Sequence, residues 1–432
     1  MKNKSALSIL FLANAISGFA QGLTMLSIPW YFESINIFPT FMIAVIIITL
    51  GSLFWGLYSG TLVDGFNRKD VFLGTNFMGG LIILSVASLG FREGVLPISL
   101  ILLVYTTTLY GYIIHFPNLY AFAQEVTDPK DYTRVVSYIE IVGQATAMAS
   151  AALGGVLLDG VNVIKEFDLF GNVITIPIFI DKWELHEIFL LDAVAFFISF
   201  IIVIFLRYQP LKKDLAIDEG DLKDRLKLGY NYLKANKLVS IFGICSYSIF
   251  IVVLVEIFVL LFLYVKNHLQ EGADVLGFSE MMFACGSLVS GIIIRNLMSK
   301  MSIPKSIIVL TFLTTIAFFV VAFTRNVWVF YAFCFIIGFT NAGSRIFRVS
   351  YLFNLVPNEL TGRVNSIFNV VTTLCRIIFI LIFLLPFFQE GSNVTNAYIF
   401  LGIFTLLCGF VLMYLYKPLL KLTENISSSS AH

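Results

Sequence analysis

The chain has 432 residues, of which 58% are hydrophobic and 13% charged. That is too little polar surface for a water-soluble globule of this length, and it fits a chain whose apolar side chains face lipid. The formal net charge of +1 offers no basic surface for nucleic acid. The five cysteines all lie inside apolar runs without C-x-x-C spacing, which reads as core filling rather than disulfides or metal ligation.

Apolar runs long enough to cross a bilayer as helices follow one another along the chain. Twelve are predicted, at about 6–32, 39–63, 71–91, 97–123, 134–158, 187–207, 238–265, 275–298, 304–324, 327–353, 364–388 and 394–416. The first continues past Pro29 with no small-residue cleavage site, so it reads as a retained span. An even number of spans places both ends of the chain on one side. Lys and Arg choose that side. One set of connections holds Arg68, Lys69, Lys130, Arg134, the eight basic residues from Arg207 to Lys237, Arg295, Lys300, Lys305 and Arg363. The opposite set holds only Arg92, Lys165, Lys182, Lys266 and Arg325. Both termini are therefore expected in the cytoplasm of a bacterial inner membrane protein.

Two connections stand out by length. The segment 159–187 contains the β-branched run Asn172-Val-Ile-Thr-Ile-Pro-Ile-Phe-Ile, which suits either a small hairpin or a plain ordered loop. Between the sixth and seventh spans, Asp221–Lys234 carries charges at helical spacing and reads as an amphipathic surface helix within a linker. The two halves also repeat weakly. Val126–Ser137 and Val356–Ser366 each form a polar turn that ends in Arg-Val-x-Ser, at Arg134 and Arg363, six spans apart.

The turn Gly60-Thr-Leu-Val-Asp64-Gly-Phe-Asn-Arg68-Lys69 resembles the loop between spans two and three of the major facilitator superfamily. Gly65 and Asn67 replace a basic residue and a glycine of the usual pattern. The run Val-Pro-Asn-Glu-Leu-Thr-Gly-Arg-Val-Asn-Ser at 356–366 is similar to macrolide-efflux-like members. The resemblance implies an all-α membrane protein with twelve transmembrane helices in two six-helix bundles, residues 1–207 and 238–420, joined by a linker at 208–237. It also implies an inner gate built from Gly60, Asp64, Arg68, Lys69, Arg134 and Arg363, with Asp64 set against the positive end of the eleventh span. The fifth span carries Ser150-Ala151-Ala-Leu-Gly154-Gly155 where antiport members have a Gly- and Pro-rich pattern. Thr106-Thr107-Thr108 stands where many proton-coupled members have an arginine.

Ionisable and polar residues inside spans are costly and mark candidate pathways. In the first half these are Asn14 and Gln21 on one stripe of the first span with Ser17, His115 before Pro117, and Glu140. The second half contributes Glu256, Arg345 and Arg348 three residues apart on one face, and Arg376 near the middle of its span. Two readings follow: a carboxylate, Glu256 or Glu140, pairs with these arginines, or the arginines form a basic cavity for an anionic solute. Glu33 is a further carboxylate at the end of the first span. No Walker motif, phosphate-binding Gly loop or nucleophile elbow is present, and no cluster has metal-ligand spacing.

The sequence therefore reads as a secondary transporter, not an enzyme. It needs no cofactor or metal and no nucleic acid. Its partners are a small-molecule substrate, protons or another coupling ion, and membrane lipid, and it is expected to act as a monomer. Proton-coupled efflux of an amphipathic compound is the first expectation. Carriage of an anionic metabolite, siderophore or lipid is the second, and a non-transporting receptor or scaffold is the alternative of another class.

Overall fold

The computed structural model describes residues 4–127, 132–169, 172–206, 222–297 and 299–429. Nearly every apolar run is helical, because in lipid the backbone must satisfy its own N–H and C=O groups. Helices α1 (Lys4–Ser34), α2 (Phe38–Gly65), α3 (Arg68–Glu93), α4 (Ile98–Val126) and α5 (Tyr132–Asp159) lead to an antiparallel hairpin of β1 (Val161–Leu169) and β2 (Asn172–Ile180). The hairpin pairs Val161 with Ile180 and Leu169 with Asn172, so of the two expectations for this connection the strand reading is the one found. Then come α6 (Leu185–Ile204) and the short α7 (Leu222–Ala235).

The seventh span is the exception to regular helix. It runs as α8 (Lys237–Ser246), α9 (Ser248–Val255), a π-helical turn at Glu256–Leu260, α10 (Leu261–Leu263) and a second π-helical stretch at Tyr264–Leu269, closed by Gln270 in the left-handed region. Five further spans and two short helices follow: α11 (Ala273–Leu297), α12 (Ile303–Ala322), α13 (Val327–Leu355), α14 (Asn358–Phe383), α15 (Pro386–Gln389) and α16 (Val394–Tyr414), with α17 (Tyr416–Ser429) last. Among the described residues, twelve helical segments are long and apolar enough to cross a membrane, in the order expected from the sequence.

The chain divides into two compact units, Met1–Asp214 with Glu271–Met281, and Leu215–Gln270 with Met282–His432. In the first, α6 packs on both α1 and α3, and α1 also packs on α5. The basic turn before α3 is bolted to its neighbours. Arg68 is buried, its Nε 3.3 Å from Oε1 of Glu125 at the end of α4, and its carbonyl accepts from Asn118 Nδ2 at 2.9 Å. Lys69 Nζ donates to the carbonyls of Ile204 and Leu206, at 2.8 and 2.9 Å, so a cation closes the end of α6 where backbone acceptors are left over. Gly60 and Asp64 fall in the last turns of α2 and Arg134 in the first turn of α5; their side chains lie outside the described set, as does the linker stretch 207–221.

Small residues of α5 serve two packing faces. Gly154 sits under Leu23 and Leu26 of α1, while a Cβ on Gly155 would stand 2.6 Å from the carbonyl oxygen of Ala273 in α11. Gly277 meets the Ala151 carbonyl in the same contact. Close helix approach of this kind substitutes for the hydrophobic drive that lipid removes.

In the second unit, α12 packs on α13 and α16. Helix α7 does not lie free as a surface helix; it packs against α14, with Tyr232 Oη donating to the Leu355 carbonyl at 3.0 Å. Phe242, Tyr351, Val356 and Phe368 form the core at that end. Widening the α5–α11 contact should disrupt the first unit. Gly277→Val is expected to cost about 1–3 kcal/mol through overpacking, read as a lower melting temperature of the purified protein, whereas the same change at Gly74, which has open space around it, should leave it unmoved.

Candidate functional site

The first unit carries a half-open cavity of about 360 Å³ between α1, α2, α3, α4 and α6. Its apolar wall is Trp55, Tyr110, Ile114 and Phe196; its polar wall is Gln21, Asn76, Thr106, Thr107 and His115. Gly74, Gly79 and Gly111 leave the room by contributing no side chains. Trp55 and Tyr110 stack with ring centroids 5.4 Å apart, and Trp55 Nε1 donates to the Tyr110 carbonyl at 2.9 Å. Tyr110 in turn donates to the Ile48 carbonyl at 3.0 Å, so both rings are fixed by their polar ends.

The polar residues are partly satisfied from within their own helices. Thr106 and Thr107 donate to the carbonyls of Leu102 and Leu103, at 2.7 and 2.8 Å, and Asn76 Nδ2 donates to the Phe72 carbonyl at 2.7 Å. These bonds use donors and leave oxygen lone pairs and the carbonyl of Asn76 for a solute. His115 is buried between helices, its Nε2 2.7 Å from Asn14 Oδ1 on α1 and its ring beside Phe72. Thus two residues of the expected stripe, Asn14 and Gln21, are joined to His115 by one site; Ser17, the third, donates back to the Ala13 carbonyl at 3.0 Å.

The remaining in-span charges are dispersed among local partners. Glu140 accepts a hydrogen bond from Tyr120 of α4. Glu256 is 1% exposed and takes the Tyr398 hydroxyl at 3.3 Å, at the first residue of the π-helical turn. A widened turn of this type recurs at functional positions. Next to it Tyr264, Tyr398, Phe330 and Phe333 form a buried ring cluster.

Arg345 and Arg348 were expected on one face, yet Arg345 is exposed and Arg348 is 3% exposed. A three-residue step turns a helix by about 60°, enough to put one guanidinium outside and the other within. Arg348 does not reach the surface: its NH1 donates to the Ser246 carbonyl at 2.9 Å and its guanidinium lies 3.8 Å from the centre of the Tyr247 ring. Arg376 is half-buried in α14 and Arg363 half-buried in its first turns. His268 is buried at the end of the seventh span with Nε2 2.9 Å from the Thr324 carbonyl.

Two acids escaped the sequence reading. Asp192 of α6 is fully buried and accepts from Thr24 Oγ1 of α1 at 2.7 Å. Glu280 lies two turns into α11, half-buried, with no hydrogen bond or ion pair among the described residues. The signal was available, since each is a single acid in an otherwise apolar run.

The sequence profile of the Major Facilitator Superfamily matches residues 10–380. The chain belongs to the major facilitator superfamily. It is therefore a multi-pass membrane transporter of a small molecule, and not an enzyme. None of the curated proteins matches this superfamily member by sequence. Solved structures similar to it include the nucleoside transporter NupG, at 13% identity and a TM-score of 0.69 over 96% of this chain and 99% of that one. A bacterial metal transporter reaches 15% and 0.64 over 96% and 99%. A bacterial homologue of the human lysosomal transporter Spinster, in an inward-facing and occupied conformation, reaches 10% and 0.66 over 98% of each chain. Likeness at these identities is a likeness of fold.

A solute that enters the cavity must approach the Trp55–Tyr110 stack. Of the four tryptophans, Trp55 should therefore carry the change in intrinsic fluorescence on ligand binding, and Trp55→Phe should abolish that change while the protein stays folded.

Proposed function

We propose that this major facilitator is a secondary transporter that exports an amphipathic small molecule by alternating access, coupled to protons, across the bacterial cytoplasmic membrane. Both termini lie in the cytoplasm and the two halves, 1–207 and 238–420, act as a monomer around the linker. The observation that carries the substrate class is the first unit's cavity: stacked aromatic rings and aliphatic wall on one side, amide, hydroxyl and imidazole groups on the other, and no Asp, Glu, Lys or Arg among the lining residues. Such a surface suits a ligand with an apolar body and a few neutral polar groups. The resemblance of residues 356–366 to macrolide-efflux-like members supports export as the direction.

The second reading, carriage of an anionic metabolite, siderophore or lipid, draws on Arg376, a half-buried cation within a span. Arg348 gives it less support, because its guanidinium is already engaged by a carbonyl and a ring. Glu256 and Glu140 are the carboxylates that the sequence offers for coupling, and each already accepts from a tyrosine hydroxyl.

Purified protein in vesicles with an imposed pH gradient tests the reading. Erythromycin, as a large amphipathic probe, should move with the gradient and citrate should not. Citrate flux that is lost in both Arg376→Ala and Arg376→Lys would establish the anion carrier instead, since lysine keeps the charge without the planar fork. No flux of any probe would leave a receptor or scaffold. For the gate, Asp64→Asn should slow erythromycin flux without lowering the melting temperature; wild-type turnover would remove Asp64 from the gate.

A further inference from the structure

Of the two acids that the transport reading does not use, Asp192 is the one beside the cavity. It sits about 10 Å from the start of α6, at 1.5 Å per residue, inside a membrane span. Its Oδ2 takes the Thr24 hydroxyl at 2.7 Å, and its Oδ1 is buried with no hydrogen-bond partner among the described residues. The helices packed against α6 are α1 and α3, and neither presents a counter-charge. On α1 no charged residue lies between Lys4 and Glu33, and Glu33 is nine residues from Thr24, with Tyr31 the nearer titratable group. On α3, Gly80 rests against Phe196 and Phe197 while Gly90 rests against His186, so the segment level with Asp192 is Leu81–Leu89, which holds no titratable residue. The charges of α3 stand at its ends: Arg68, Lys69 and Asp70 at one, and Arg92 with Glu93, exposed and paired to each other at 3.3 Å, at the other. On α6 itself the titratable neighbours are His186 and Glu187 in the first turn.

A carboxylate buried without a cation is an expensive group to keep in a membrane unless it does something. Its position says what. Phe196, one turn further along α6, and Gln21, three residues before Thr24 on α1, both line the cavity of the first unit. The acid therefore lies one turn behind the cavity wall, with His115 and Tyr110 the titratable groups on the cavity's other side. Cavity and acid share the α1–α6 packing, which Ser199 also ties by donating to the Ala13 carbonyl at 2.9 Å.

We propose that Asp192, held by Thr24 behind the wall of the first unit's cavity, is the proton-binding group of this transporter. A proton arriving from the cavity binds at Oδ1, the oxygen with no partner, and leaves Oδ2 on the Thr24 hydroxyl. Binding removes a charge from between α1 and α6; release restores it, so the state of Asp192 acts on the two helices that frame the cavity. The proposal deepens the proton-coupled reading and rests on it for its role in transport, though not for the proton itself.

The test has one readout that needs no substrate. Infrared difference spectra of the reconstituted protein, acid minus alkaline, should contain the carbonyl stretch of a protonated carboxylic acid. That component should be lost in Asp192→Asn and kept in Glu256→Gln and Glu140→Gln. Thr24→Val, which keeps the volume and removes the hydroxyl, should shift the midpoint of its titration, and it decides the matter if Asp192→Asn does not fold. An unchanged band in Asp192→Asn, or an unmoved midpoint in Thr24→Val, overturns the proposal. With erythromycin in the same vesicles, Asp192→Asn should lose accumulation driven by the pH gradient and keep exchange between equal concentrations on the two sides, because an amide holds the neutral state. Loss of both would mark a structural residue and overturn the coupling role. A band that depends on Asp192 in a wild-type protein that moves no probe would keep the proton site and refute the export reading.

Discussion

A polar group inside a hydrocarbon layer has no water to turn to, and much of the arrangement of this protein follows from how such groups find local partners. The backbone solves it with helices. Side-chain hydroxyls solve it by donating back one turn, as Thr106, Thr107 and Thr311 do, which lets a span carry threonines without a neighbouring partner. At helix ends the spare carbonyls take a cation: Lys69 serves the end of α6 in this way.

The same constraint sorts the charges. Arg348 is deep, and it is accommodated by a carbonyl and a tyrosine face rather than by an acid. Glu256 and Glu140 each take a tyrosine hydroxyl, and Arg68 takes Glu125. Against this background two in-span acids depart: Glu280, with no partner among the described residues, and Asp192, with a single hydroxyl donor and one bare oxygen beside the cavity, which is the one that calls for a functional account. The cavity is the other departure: close packing is given up where three glycines meet a stacked aromatic pair, and the polar atoms left there face open volume.

Much of this architecture was legible residue by residue. The count and order of the spans followed from run length, because a helix that crosses lipid needs about 20 apolar residues and little else. The run Ser150–Gly155 is rich in small residues, and its Gly154 and Gly155 meet α1 and α11 closely. The polar stripe of the first span singled out Asn14 and Gln21, although it could not say that His115 would be the neighbour of Asn14. The seventh span read as one plain helix, because a π-helical turn changes hydrogen bonding without changing composition.

What the sequence by itself determined was the membrane topology class, the helices and the residue types that each carries into lipid. Only tertiary structure decided which of them meet: His115 with Asn14 across 101 positions, Asp192 with Thr24 across 168, and Arg348 turned inward while Arg345 faces out. In water the apolar stripe of a helix marks its buried side. In a bilayer both sides of a span are apolar, so the helical period fixes which residues share a face but not whether that face meets lipid, a cavity or another helix. Packing supplies that choice, through small residues that permit contact and polar groups that require it.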